Sequence, residues 1–82
     1  MVEAVEVVMQ VRVRVKVGDH VRYMPTWADK YSSQAAQVER VIEADAYNPQ
    51  DGLSTPYWLE VLFPDKRKEV VAARYVLYEG PP

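Results

Sequence analysis

Few side chains in this chain could do covalent chemistry. Histidine occurs once, as His20. A catalytic histidine needs an orienting carboxylate or a nucleophile beside it. Asp19 is adjacent, but neighbours in an extended chain point to opposite faces. There is no cysteine, so thiol nucleophiles, thiolate metal sites and disulfides are all excluded. No His, Asp and Glu grouping has metal-ligand spacing, and the three glycines are too scattered to cradle a phosphate. Glu39, Glu43, Asp45 and Asp51 read as a solvated acidic face. The expectation is a non-enzymatic protein with no metal and no cofactor.

Binding chemistry is better represented. Trp27 and Tyr31 sit in one polar stretch, Tyr47 in another, and Tyr23, Trp58 and Tyr75 lie in or beside apolar runs. Aromatic rings supply large contact area with a polar tip. Cations form two groups, Arg12, Arg14, Lys16 and Arg22, and then Lys66-Arg67-Lys68. Cations near aromatic rings suit single-stranded nucleic acid, where charge follows phosphate and rings stack on bases. The net charge of −2 weighs against that role. Arg12, Arg14, Lys16 and Arg22 stand as the nucleic-acid candidates. The protein-binding candidates are Tyr23, Trp27, Tyr31, Trp58 and Tyr75.

These residues must be positioned by strands. Val11 to Val17 alternates valine and cation strictly, and the alternation runs back through Met9, Val7 and Val5. Period two means one apolar face and one charged face of a strand, predicted over 5–17. Gly18-Asp19 marks a turn, and 20–23 resumes the strand until Pro25. Over 35–46 two readings stand. Ala35, Val38, Val41 and Ile42 have helical spacing with Ser33 as a cap, whereas neighbouring strands favour a bent strand over 37–44. Residues 48–52 form a loop. Tyr57, Leu59, Val61 and Phe63 share the core face of the next strand, leaving Trp58 and Leu62 on the outer face. Pro64-Asp65-Lys66 turns the chain into a hairpin partner over 67–72, and Ala73-Arg74-Tyr75 makes one 3₁₀ turn before a last strand over 76–79.

That order resembles the Src-homology-3-like small β-barrel, in the variety that includes KOW-type domains and small electron-transfer accessory subunits. The residues carrying the likeness are Val17 to Tyr23, Phe63 to Arg67 and Ala73 to Leu77. The resemblance implies an all-β, five-stranded barrel over 17–79, with 1–16 added as a long strand and the whole chain one domain; α+β with a helix over about 34–46 is the alternative. In peptide-binding members of that class, aromatics of the first loop and closing turn line one groove. By analogy Tyr23, Trp27, Tyr31 and Tyr75 converge here. One enzyme of the class, the plasmid-borne dihydrofolate reductase, lines its pore with a Val-Gln-Ile-Tyr motif that this chain lacks.

A strand over the thirteen residues 5–17 would span about 40 Å, far more than a barrel strand of about 5–6 residues. Its valine face therefore predicts a homodimer through Val5, Val7, Met9, Val11, Val13 and Val15, with a local hairpin onto 20–24 as the alternative. A small-molecule pocket at that dimer interface is a further reading. No run approaches about 20 apolar residues, so no membrane span is expected. Glu3 and Glu6 stand where a secretory leader would be positive, which together with the lack of cysteine suggests a cytoplasmic protein.

Overall fold

The valine–cation stripe folds against itself. A computed structural model describes residues 3–8 and 12–82. In it, β1 (Ala4–Val8) and β2 (Arg12–Lys16) pair antiparallel as a two-stranded sheet, Val5 opposite Val15 and Val7 opposite Val13. This corrects both the single strand over 5–17 and the alternative hairpin onto 20–24. The apolar face of the pair is turned into the chain's own core: Val5, Val7 and Val15 are buried and Val13 is half-buried. Met9 and Val11 lie outside the described residues. On the outer face Glu6 stands directly opposite Arg14, a favourable cross-strand arrangement.

The remaining strands are β3 (His20–Tyr23), β4 (Ala35–Asn48), β5 (Leu53–Leu62), β6 (Lys68–Ala72) and β7 (Val76–Gly80). They form one antiparallel sheet in the order β6-β5-β4-β3-β7. The fold is all-β, and the helix over 34–46 is not formed. Its helical spacing has a local cause. One extra β4 residue is accommodated between Val38 and Arg40, so the inward parity passes from Ala36 and Val38 to Val41. A second irregularity between Glu43 and Ala46 leaves the Ala44 carbonyl to accept the Trp58 indole N–H at 3.0 Å.

The sheet is rolled by its connection. A flat sheet would hold β6 and β7 four strand spacings apart, about 19 Å at ~4.8 Å each. The 3₁₀ turn Ala73–Tyr75 joins them with three residues, and four Cα steps of ~3.8 Å reach only about 15 Å. The edges must therefore approach, and the concave face encloses Val21, Val38, Val41, Leu59, Val61 and Val76, all essentially solvent-free. Beyond β5 the ring of Phe63 stacks on Tyr31 at 4.1 Å and meets Tyr23 edge-on at 6.1 Å.

Two turns fix register. At Val17-Gly18-Asp19, Gly18 takes φ +93°, Lys16 N–H donates to the wholly buried Asp19 carboxylate at 2.9 Å, and Gly18 N–H donates to Val38 at 2.8 Å. At 63–67, Lys66 N–H donates to Phe63 C=O and Phe63 N–H to Arg67 C=O, which puts Lys66 in the left-handed region at φ 72°. Glycine suits that conformation and a β-carbon does not. Lys66→Gly is expected to raise stability by about 0.5–1 kcal/mol. Urea denaturation measures it, and an unchanged or lower midpoint would contradict the strain.

Candidate functional site

The long connection between β3 and β4 is held like a clasp. Tyr23 N–H donates to Gln34 C=O and Ser33 N–H to Tyr23 C=O at its base. At its tip Asp29 accepts from Tyr31 N–H at 2.9 Å. Met24 N–H donates to Tyr75 C=O at 2.7 Å, tying the loop to the 3₁₀ turn. So fixed, the loop faces β6 and the 48–52 loop across a cleft of about 190 Å³.

Four of the five aromatic candidates line this cleft: Tyr23, Trp27, Tyr31 and Trp58. Tyr23 and Tyr31 are also core residues, 6% and 5% exposed. The parity reading of Trp58 holds, since it is half-buried opposite the buried set of Leu59 and Val61 and sits at the cleft's outer lip. Its indole N–H is shared between Ala44 and Thr55 carbonyls. Tyr75 stands behind rather than in the wall, edge-on to Trp27 at 4.8 Å. Sequence reasoning missed several contributors, among them Asp29, Glu69 and Val70. The one available signal was hairpin parity, which puts Glu69 on the same face as buried Val71.

The tyrosines are braced by carboxylates. Tyr31 donates to Asp65 at 2.7 Å; that bond and burial push its pKa up to about 12. Tyr75 donates to Asp51, which also receives Arg74 at 3.0 Å. Arg74 in addition reaches Thr55 and the Ser54 carbonyl, binding the 3₁₀ turn to the 48–52 loop. Asp51 is thus a structural brace, which corrects its place in a solvated acidic face; Glu43 and Asp45 are exposed and Glu39 pairs with Lys68 at 3.3 Å. Burial first, then the nearby Asp29, Tyr75 and Glu69, raise Tyr23 to about 12.

The tyrosine hydrogen bonds hold the Asp51 and Asp65 carboxyls below their usual value of 3.8. Their stabilisation is present above that value and is lost as pH falls through the lower folded values. For Tyr23 and Tyr31 the folded value is raised, so stabilisation is present below pH 10 and lost as pH rises towards about 12. Thermal melts should show the midpoint falling between pH 10 and about 12, with a shallower fall in Tyr31→Phe. An identical slope in the variant would rule out the Tyr31–Asp65 bond as its source.

The cations are not gathered into one face. Arg14 and Lys16 lie on β2 and Arg22 on β3, in different sheets. Arg22 forks onto Glu79 at 2.8 and 3.3 Å and donates to Ser33 C=O, while Lys16 lies 3.9 Å from Asp19. The Arg12 side chain lies outside the described residues. His20 is exposed on β3. Among the described residues no group of three or more His, Asp and Glu could hold a metal ion, and no helix is long and apolar enough to cross a membrane. No family model, curated protein or solved structure matches the chain, so the cleft is interpreted from its own geometry.

Proposed function

We propose that the protein is a non-enzymatic binding module that takes a segment of a partner protein in the cleft between the 24–34 loop and β6. The observation that carries this is the convergence of Tyr23, Trp27, Tyr31 and Trp58 on one concave surface from separate stretches of chain. Aromatic rings held rigid in this way give contact area at little entropic cost, and such residues dominate binding energy. The element order resembles that of the Src-homology-3-like barrels, whose peptide-binding members use the corresponding loop and closing turn. The cations favour this reading over nucleic acid, since Arg22 and Lys16 already face carboxylates.

Selection of displayed random peptides on the full chain tests the reading. Enriched peptides are expected to lose at least about thirtyfold in affinity, about 2 kcal/mol, on Trp27→Ala. Their binding should depend only shallowly on salt. Failure to enrich any sequence, together with oligonucleotide binding that falls steeply with salt, would overturn it.

A further inference from the structure

The two edges of the rolled sheet are treated differently. β1 lies beside β7 and the 3₁₀ turn, so that edge has a neighbour. Among the described residues β6 pairs with β5 alone, and its other edge opens into the cleft. Which backbone groups that edge presents follows from the register. Phe63 N–H donates to Arg67 C=O, so Phe63 and Arg67 are a hydrogen-bonded pair. Such pairs alternate along an antiparallel ladder, which makes Val61 with Glu69 and Leu59 with Val71 the next two. Arg67, Glu69 and Val71 therefore turn their N–H and C=O towards β5. Lys68, Val70 and Ala72 turn theirs outward, where an added strand would find them.

The wall beside this edge carries polar groups without partners. Glu69 makes no ion pair or side-chain hydrogen bond with any described residue, and the Asp29 carboxylate accepts only from Tyr31 N–H. Tyr23 is 6% exposed, and its hydroxyl has no partner among the described residues. The Trp27 indole N–H is buried and equally unpartnered. Buried donors are normally satisfied, so a wall that sets one idle buried donor and an open tyrosine hydroxyl beside two carboxylates with no cation suits polar and cationic groups.

We propose, resting on the binding-module reading, that β6 is a docking edge to which an extended segment of a partner protein adds as a further strand, with a lysine or arginine opposite Glu69 and an apolar residue opposite Val70. The alternation follows from geometry. Side chains of the added strand fall on the two sides of the sheet in turn. Those beside Glu69 face the carboxylates and the Tyr23 hydroxyl. Those beside Val70, itself 51% exposed, face Val70 and the lip formed by Trp58. Main-chain hydrogen bonds supply affinity and the alternate side chains supply selection.

The probe is an acetylated, amidated octapeptide of alternating valine and arginine, titrated into the ¹⁵N-labelled full chain. Binding should slow hydrogen exchange at the Lys68, Val70 and Ala72 amides by at least about tenfold, and leave Val71, already paired to β5, unchanged. N-methylation of every second peptide nitrogen should abolish binding in one frame and spare it in the other. Replacing arginine by glutamate in the peptide, or Glu69→Gln in the protein, should weaken it by at least about fivefold. Val70→Pro deletes an outward N–H without touching the ladder to β5 and should weaken binding about tenfold, whereas Val70→Thr should not. If Val70→Pro does not fold, the N-methylated peptides on the unaltered protein decide alone. Binding that needs Trp27 but ignores both N-methyl frames would overturn strand addition and leave the module reading standing. Display-selected peptides that bind while this octapeptide does not would overturn the cationic chemistry. Protection of the same amides by self-association without peptide would assign the edge to a second copy and overturn the partner.

Discussion

Phe63→Ala is expected to lower stability by about 3–5 kcal/mol, against a total of about 5–15 kcal/mol for a domain of this kind. Phe63 is 1% exposed, and its ring joins β3, the 24–34 loop and β5 by touching Tyr23 and Tyr31. Alanine leaves a void that the rigid strands on either side cannot close, and it frees Tyr31, which holds one wall of the cleft. Equilibrium denaturation measures the loss. Near-ultraviolet dichroism should weaken even where the variant remains folded, because the stacked pair is gone. A cost below about 1 kcal/mol would mean that the loop packs independently of the sheet.

Removing residues 1–16 is expected to have an effect of comparable size. Val5, Val7 and Val15 are each at most 5% exposed. Burying a valine contributes about 1.5–3 kcal/mol, so losing three approaches the whole stability of a small domain. The truncated chain should melt without a cooperative transition and bind a hydrophobic dye, because the concave face is left open. Val15→Ala, a milder lesion, should still fold with a lowered midpoint. A truncated chain that melts as sharply and as high as the full one would make the hairpin an appendage.

The sequence was most legible where one residue type has one conformational use. Gly18-Asp19 and Pro64-Asp65-Lys66 mark turns, Ala73–Tyr75 forms the expected 3₁₀ turn, and parity alone places Trp58 opposite Leu59. It was misleading where a rule carries no information about reversal. The alternation from Val5 to Val17 continues through Met9-Gln10-Val11 without glycine, proline, asparagine or aspartate. Nothing in period two distinguishes one long strand from two that face each other. At 35–46 a bulge displaced the apolar positions into a helical spacing. The aromatic wall was foreseeable from loop positions, but the carboxylates were not. Asp29 looks like a loop residue and Glu69 like one of many surface charges until the sheet is rolled and both line one cleft with Tyr23.

The strand order also dictates a schedule for synthesis. β4, β5 and β6 each close on the strand just before, so they can pair as they leave the ribosome. β7 alone must return to β3, joining Arg22 to Glu79 across a separation of 57 residues. Until β7 emerges, the nascent meander keeps β3 unpaired along one side. Stop codons near residue 75 should therefore yield a chain that is mostly paired and still sticky, caught by chaperones more readily than a chain that carries β7.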